Sequence, residues 1–203
     1  MNPIIISTAG NPENEDRGFF GKDGNRMVLC VADGAGGSAG AIEAATKAID
    51  LVRQSTSFLT DMASCATLLA RIDMVIASDP TAGETTCAFA IITPREIFGA
   101  SVGDSEIWFI PTEEEPLTDL TLCQQRKPLL GSNETYPVPF QCPRKNGWLL
   151  LATDGLFKYT SVERILQTCR QNPTEEAAPQ LVELVRYRSG TLPDDVTVIL
   201  TNV

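Results

Sequence analysis

The most constraining feature of the sequence is an apolar run that stops abruptly at a carboxylate. The segment Met27–Gly37 reads MVLCVADGAGG, in which the apolar residues Val28–Val31 lead to Asp33 and then to small residues. Such a run is typical of a strand that is buried on both faces. A carboxylate at its end, followed by a backbone without bulky side chains, marks a place where a charged ligand can approach closely. Taken alone, the motif also fits an ordinary turn between a strand and a helix.

Composition restricts the class of protein. The chain has 203 residues, of which 43% are apolar, and this predicts a single domain over residues 1–203 with one substantial core. A net charge of −10 argues against nucleic acid and anionic membranes as partners. Because the sequence has neither an apolar stretch of membrane-spanning length nor a basic, apolar leader, a soluble, cytoplasmic protein is expected.

Histidine is absent from the sequence, and this excludes several kinds of active site. Imidazole general bases, Ser-His-Asp and Cys-His catalysis and most catalytic zinc sites all require that side chain. The six cysteines form no Cys-x-x-Cys pair and are expected to be core residues rather than disulfides or zinc ligands. Any chemistry must therefore use carboxylates, hydroxyls, Arg, Lys, backbone groups or metals.

Hydrophobic periodicity predicts a mixture of strands and helices. Strands are predicted over Pro3–Thr8, Gly18–Phe20, Arg26–Ala32, Thr85–Thr93, Ile97–Val102, Glu106–Ile110, Trp148–Ala152 and Val196–Asn202. Helices are predicted over Ala39–Arg53 with Ser38 as N-cap, about Asp61–Ala77 with Thr60 or Asp61 as cap, Ser161–Gln171 and Thr174–Arg188. Residues 111–147 are predicted to be a loop with short strands on the surface.

Acidic residues recur at the ends of the predicted strands. Glu15 and Asp16 precede a strand, Asp33 and Asp154 follow one, Asp104 interrupts an extended run, and Asp194 and Asp195 precede the last strand. In an antiparallel sheet the end of one strand lies beside the start of its neighbour, so these side chains can meet at one edge. Crowded carboxylates raise each other's pKa values, and cations that neutralise them stabilise the cluster.

The set of candidate ligands favours hard divalent ions. Oxygen ligands without imidazole or paired thiolates suit Mg²⁺, Mn²⁺ or Ca²⁺. Two such ions about 3.5–4 Å apart can bridge a water, lower its pKa and hold a phosphoryl group for in-line attack. This predicts hydrolysis of phosphate monoesters without a histidine. Each carboxylate taken alone is also typical of an ordinary turn. A weaker interpretation is therefore that these acids are turn residues of an interaction domain.

The sequence resembles the metal-dependent (type 2C, PPM) serine/threonine protein phosphatases, which include the bacterial stress and sporulation stage II E-like regulatory phosphatases. The matching segments, in the order of the family and over almost the whole chain, are Asn14–Asp16, Val31–Gly37, Gly83–Thr86, Val102–Ser105, Ala152–Leu156 and Asp194–Thr197. The resemblance implies an α+β fold, an α-β-β-α sandwich of two antiparallel sheets flanked by helix pairs. Residues 111–147 would form a reduced flap beside the site.

The resemblance also implies a centre of two Mn²⁺ or Mg²⁺ ions at one end of the sandwich. Asp33 would bridge both ions, Glu15 and the Gly34 carbonyl would complete one site, and Asp154 with Asp194 the other. The implied activity is hydrolysis of phosphoserine or phosphothreonine on a protein by direct attack of a metal-bridging hydroxide. The implied partners are this phosphorylated protein and a separately encoded kinase or regulator.

Three more carboxylates have implied or open roles. Asp16 would hold metal-bound water and act in catalysis with Asp33, and Asp104 would lie near a weaker third ion. The family often has asparagine where this chain has Asp195. Either Asp194 or Asp195 therefore fits the ligand position, and Asp194 is favoured.

The sequence departs from the family at two positions. Asn11 stands where the family commonly has an arginine that binds the substrate phosphate, and Ala35 stands where eukaryotic members have a histidine general acid. Arg17, Lys22 and Arg144 are candidates for the missing cation, and no substrate-binding residue is assigned. These departures support an alternative function, a catalytically weak pseudophosphatase that acts as a regulatory binding module.

Overall fold

The computed structural model describes residues 2–36, 39–112 and 115–203, so Gly37 and the predicted N-cap Ser38 lie outside it. The strands are β1 (Ile4–Thr8), β2 (Asp16–Asp23), β3 (Arg26–Ala35), β4 (Glu84–Thr85), β5 (Cys87–Ile92), β6 (Glu96–Val102), β7 (Glu106–Pro111), β8 (Thr118–Asp119), β9 (Val138–Pro143), β10 (Gly147–Ala152) and β11 (Val196–Asn202). The helices are α1 (Ala39–Ser55), α2 (Met62–Ala77), α3 (Asp154–Phe157), α4 (Val162–Gln171) and α5 (Thr174–Glu183).

The strands form two antiparallel sheets. One has five strands in the order β1-β11-β10-β7-β8, and the other has six, in the order β2-β3-β5-β6-β9 with β4 paired to β3. Every strand pair is antiparallel. The predicted fold class, an α+β protein with two antiparallel sheets, is therefore confirmed.

Alternation along the strands divides the apolar side chains into three layers. In β3, Leu29 packs between the two sheets with Ile107 and Leu151, whereas the neighbouring Cys30 faces the layer under α1 and α2. Successive side chains of a strand point to opposite faces, so β3 is buried on both, as its sequence predicted. A third layer lies between the five-stranded sheet and the helices α4 and α5. The order of layers is helix, sheet, sheet, helix.

The start of α2 follows the predicted capping chemistry, whereas the end of α5 differs from the prediction. Asp61 accepts a hydrogen bond from the N–H of Ser64 at 2.7 Å and begins α2, so Asp61 rather than Thr60 is the cap. The predicted helix over Thr174–Arg188 is too long, because α5 ends at Glu183. Beyond it the chain makes a turn, in which the Tyr187 N–H donates to the Thr191 carbonyl.

Residues 111–147 are more ordered than a surface loop. Strand β9 lies at the edge of the six-stranded sheet, paired to β6, and it buries Phe140. Pro139 and Pro143 concealed this strand in the sequence, although proline is tolerated on an edge strand because it needs no donor there. The preceding turn buries Leu129 and Leu130. The predicted short strands are therefore present as β8 and β9, but Leu129, Leu130 and Phe140 are buried rather than on the surface.

Four of the cysteines, Cys30, Cys65, Cys87 and Cys169, are buried, as expected of core residues. Cys123 is exposed and Cys142 is half-buried, and all six are free thiols. In the part of the chain that the structure describes, no helix has the length and apolar character that crossing a bilayer requires.

The buried carboxylate of Asp73 on α2 connects that helix to the turn that precedes β9. It accepts hydrogen bonds from the N–H groups of Gly131 at 2.7 Å, Asn133 at 2.9 Å and Thr135 at 3.2 Å. The Thr135 hydroxyl adds a fourth bond at 2.8 Å. The Asp73 side chain therefore holds this turn together with the backbone bridge between Leu130 and Thr85.

Replacing Asp73 with alanine is expected to lower the free energy of unfolding by about 3 kcal/mol, because several backbone donors lose their acceptor together. Urea unfolding followed by circular dichroism measures the change. Asp50→Ala is the matched control, since Asp50 is an exposed partner of Arg53 on α1, and it should cost less than about 0.5 kcal/mol. Equal losses in the two variants would contradict this role of Asp73.

Candidate metal centre

One end of the sandwich brings together strand ends from both sheets. Asp16, the first residue of β2, is the register partner of Asp33 near the end of β3. In the other sheet, β10 ends at Ala152 opposite Val198 of β11. The Thr153 N–H then donates to the Thr197 carbonyl at 3.0 Å. Antiparallel pairing thus places the end of one strand beside the start of the next in each sheet, as the spacing of the acidic residues predicted.

A cavity of about 450 Å³ opens at this end of the sandwich. The acidic residues that line it are Glu15, Asp33, Asp104, Asp154, Asp194 and Asp195, and Gly34, Asn11 and Ala35 line it as well. The structure therefore brings every residue predicted as a metal ligand to one cavity. Asp16, the other predicted catalytic residue, is buried beside Asp33.

The backbone of Asp33 is fixed by two threonines. The Asp33 N–H donates to Thr86 Oγ1 at 2.9 Å, and the Asp33 carbonyl accepts from Thr85 Oγ1 and from the Thr86 N–H, each at 2.8 Å. Burial raises the pKa of the Asp33 carboxyl to about 9, and the neighbouring charges of Asp16 and Asp154 add to the rise. A carboxylate in this position is stabilised by any cation that neutralises it.

Asp16 is buried, with 2% of its surface exposed. Its Oδ2 accepts a hydrogen bond from Thr153 Oγ1 at 2.7 Å, while Oδ1 has no hydrogen-bond partner among the described residues. Burial raises the pKa of Asp16 to about 7, against the opposing effect of the hydrogen bond from Thr153. Thr153 therefore orients this carboxyl group and leaves one oxygen without a donor.

Asp154 begins α3, and its carboxylate is paired with a lysine one turn later. Lys158 Nζ forms an ion pair with Asp154 Oδ2. Burial raises the pKa of Asp154, and the hydrogen bond from Lys158 lowers it. The close packing of α3 against the turn before β11 requires glycine at position 155, because a Cβ there would lie 2.0 Å from the Asp195 carbonyl oxygen.

The two neighbouring aspartates before β11 are bonded differently. Asp195 Oδ1 accepts from the N–H groups of Gly10 at 2.8 Å and Asn11 at 3.0 Å, and Oδ2 accepts from the Glu15 N–H at 2.8 Å. Both oxygens of Asp195 are thus used to hold the turn before β2. Asp194 Oδ1 accepts from the Asp195 N–H at 3.0 Å and from Asn11 Nδ2 at 3.4 Å. Asp194 is therefore better placed than Asp195 to act as a ligand, because its hydrogen bonds use Oδ1 and those of Asp195 use both oxygens.

Gly34 is required by the packing of α1. A Cβ on Gly34 would lie 2.5 Å from the Ala41 carbonyl oxygen, so a larger residue would push α1 away from β3. Any residue other than glycine would therefore displace the backbone carbonyl that was predicted as a ligand.

The cations at the cavity are not those proposed from the sequence. The basic residues that line it are Arg126, Lys127 and Lys158. Arg126 donates from Nε at 2.9 Å and from Nη2 at 2.7 Å to Asp104 Oδ2. Asn11, at the position of the missing arginine, instead contacts Asp194.

Of the three candidate cations, none lines the cavity. Arg17 donates to the carbonyls of Asn14 at 2.8 Å and Asp16 at 2.7 Å, and so supports the turn before β2. Lys22 lies next to the β2–β3 hairpin turn and Arg144 follows β9, both at the opposite end of the sheet. Arg17, Lys22 and Arg144 are therefore excluded as cavity-lining cations.

The residues at the cavity fit a pair of divalent ions by their chemistry. All the candidate donors are oxygens, the set that Mg²⁺ and Mn²⁺ prefer. The buried, unpaired Asp16 Oδ1 and the raised pKa values of Asp16, Asp33 and Asp154 indicate a shortage of positive charge. Within residues 2–36, 39–112 and 115–203, no three acidic or cysteine side chains are already arranged to hold an ion. Lys158, Arg126 and backbone N–H groups instead partner Asp154, Asp104 and Asp195.

Sequence reasoning missed the residues that support the carboxylates. Thr86 Oγ1 accepts a hydrogen bond from the Asp33 N–H and lies 2.7 Å from Ser105 Oγ. Thr153 Oγ1 donates to the carboxylate of Asp16. Each of these residues stands inside a segment that matched the family, so position in the motif was the available signal. Lys158 could have been found from its spacing, since residues four apart on a helix are neighbours.

Comparisons with known proteins agree with this geometry. The profile of the family described as stage II sporulation protein E (SpoIIE) matches residues 23–203. A bacterial serine phosphatase is 19% identical, with a TM-score of 0.84 over 100% of this chain and 98% of that one. The catalytic domain of the serine/threonine protein phosphatase PstP, in complex with two manganese ions, is 23% identical, with a TM-score of 0.80 over 98% and 96%.

A third solved structure, RsbX in complex with magnesium, is 20% identical, with a TM-score of 0.77 over 98% of this chain and 94% of that one. No curated protein matches the sequence. These structural likenesses show a shared fold, and the sequence profile shows the family. The resemblance on which the sequence analysis rested is confirmed, and the chain belongs to the stage II sporulation protein E (SpoIIE) family.

Proposed function

We propose that the protein is a Mn²⁺- or Mg²⁺-dependent phosphatase that hydrolyses phosphoserine or phosphothreonine on a protein. The observation that carries the proposal is the convergence of Glu15, Asp33, Asp154 and Asp194 on one cavity. The structural likeness to PstP, which holds two manganese ions, and the family match support it. When bound, a pair of ions would activate a water for direct attack and neutralise charge on the phosphoryl group.

The chain's own residues would divide the work as follows. Asp33 would bridge the two ions, with Glu15 and the Gly34 carbonyl at one of them and Asp154 and Asp194 at the other. The Thr85 and Thr86 bonds would keep Asp33 in position. Asp16, buried behind Asp33, would hold a water of the site through the oxygen that Thr153 leaves free. Asp104, now paired to Arg126, would lie near a weaker third ion.

We also propose that residues 1–203 act as one phosphatase domain with residues 111–147 as a reduced flap. The turn of this segment that carries Arg126 and Leu129 lines the cavity, which supports that role. A kinase or regulator that acts on the same phosphoprotein is the expected partner. A cytoplasmic location stays a prediction from the sequence.

A pseudophosphatase is the second candidate function. The short side chains of Asn11 and Ala35 line the cavity where the family has a phosphate-binding arginine and, in eukaryotes, a histidine. A binding module of this kind would hold a phosphoprotein tightly and release no phosphate. Turnover of a phosphoserine peptide with Mn²⁺ at ordinary phosphatase rates would exclude it.

Asp33→Asn is expected to lower Mn²⁺-dependent hydrolysis of a chromogenic phosphate monoester by about 100-fold or more, because the bridging charge is lost. Calorimetric titration should show Mn²⁺ binding weakened in the same variant. Asp50→Asn, an exposed change on α1, is the matched control and should behave as the wild type. If Asp33→Asn hydrolyses the substrate as fast as the wild type, the proposal is wrong.

The neighbouring pair Asp194 and Asp195 should separate binding from stability. Asp194→Asn is expected to weaken Mn²⁺ binding by about 10–100-fold with little change in the unfolding free energy of the metal-free protein. Asp195→Asn should cost about 2 kcal/mol of that free energy, since an amide has one acceptor oxygen for three N–H groups. Calorimetry and urea unfolding test the two effects, and the reverse pattern would make Asp195 the ligand.

The metal-free protein should lose stability as pH rises from about 4 to 9. The folded-state pKa values of Asp16, about 7, and Asp33, about 9, lie above the unfolded value of 3.8, so the folded protein binds more protons in this window. Each group that stays protonated contributes a fall of up to about 1.4 kcal/mol per pH unit. Urea unfolding across this range in the presence of a chelator measures the slope. Asp33→Asn should flatten it, and identical slopes in the two proteins would contradict the crowding of these carboxylates.

A further inference from the structure

The proposed phosphatase needs a cation for the substrate phosphate, and Asn11 cannot supply one. Three cations line the cavity of the candidate metal centre, Arg126, Lys127 and Lys158, and two of them also line an adjoining cavity. The 450 Å³ cavity of the candidate metal centre and an adjoining one of about 230 Å³ are both lined by Arg126 and Lys158. Both residues are paired with carboxylates there, Arg126 with Asp104 and Lys158 with Asp154.

Lys158 is the better fixed of the two cations. Its backbone N–H donates to the Asp154 carbonyl at 2.9 Å, so the lysine stands one helical turn beyond the carboxylate that its ammonium group contacts. The Lys158 side chain is 39% exposed, whereas that of Arg126 is 71% exposed. A partly buried side chain at the end of a helical turn loses less conformational entropy on binding than one on an exposed turn.

We propose that Lys158 is the phosphate-binding residue of this chain, held by Asp154 in the metal-free protein and transferred to the substrate phosphate once an ion takes that carboxylate. The inference rests on the proposed phosphatase function and assigns its missing substrate contact. Ammonium groups bind phosphate as point charges with three donors, and Lys158 is already beside the carboxylate where an ion and the phosphate would meet.

The exchange of partners gives Lys158 two effects of opposite sign. In the metal-free protein its ammonium group competes with an ion for Asp154, so it weakens metal binding. With the ion in place it attracts the phosphate, so it strengthens substrate binding. If Lys158 had a purely structural role, its removal would weaken both metal binding and substrate binding, because a disturbed α3 would displace Asp154 as well.

The test measures metal and phosphate binding separately in Lys158→Met, with Lys145→Met as the matched control. Lys145 is an exposed lysine whose Nζ lies 3.6 Å from Glu115, and it lines neither cavity. Calorimetry gives the affinity for Mn²⁺, and inorganic phosphate titrated into the Mn²⁺-saturated protein gives the affinity for the anion. Steady-state hydrolysis of a chromogenic phosphate monoester gives kcat and KM.

In Lys158→Met, Mn²⁺ should bind several-fold more tightly, and inorganic phosphate about tenfold more weakly, the loss expected for one charge-assisted hydrogen bond. The KM should rise by about the same factor, with a smaller change in kcat. Lys158→Arg should restore most of the phosphate affinity, and Lys145→Met should match the wild type in every measurement.

Two results would overturn the inference. Phosphate affinity and KM that stay at the wild-type values in Lys158→Met would show that another group holds the phosphate. Weakening of both Mn²⁺ and phosphate binding would show a structural role. A wild-type protein that binds no Mn²⁺ would overturn the proposed function together with this inference. One that binds Mn²⁺ without turnover would leave the phosphate titration to decide the role of Lys158.

Discussion

Repulsion between carboxylates gathered at one end of a closely packed sandwich is the interaction on which the rest of the structure depends. Asp16 and Asp33 face each other across β2 and β3, and Asp154 approaches from the other sheet. Burial raises the pKa of each of these three carboxyl groups, and neighbouring carboxylates add to the rise. Keeping such groups together lowers the stability of the fold at this end, a departure from favourable packing that is typical of functional sites.

The fold tolerates this repulsion because hydrogen bonds from backbone N–H and hydroxyl groups hold the carboxylates and their turns in place. Thr85 and Thr86 fix Asp33, Thr153 fixes one oxygen of Asp16, and Asp195 gives up both oxygens to backbone N–H groups. None of these contacts requires a metal ion. The fold therefore brings the candidate ligands to one cavity without an ion, and Lys158 and Arg126 pair with two of them there.

The sequence predicted the sandwich through its resemblance to a known family, and it predicted the residues at the cavity from the placement of acidic residues at strand ends. The continuous apolar run of β3 predicts a strand buried on both faces, and acidic residues at strand ends can meet if the strands are antiparallel. The sequence predicted β9 poorly. Proline is tolerated in a strand only at the edge of a sheet, and which strand lies at the edge is known only once the sheet has assembled. The bonds of Thr153 to Asp16 and of Thr86 to Asp33 likewise join segments far apart in the chain, and periodicity carries no information about such distances.

The bonds from Asp195 to Gly10, Asn11 and Glu15 join segments separated by 180 residues or more. Strand β1 likewise pairs with β11. During synthesis on the ribosome, the early segment therefore waits for its partner until nearly the whole domain has emerged. Such long sequence separation slows folding. A nascent or truncated chain that ends before Asp195 has the first carboxylates of the cavity but not the residue that holds their turn in place.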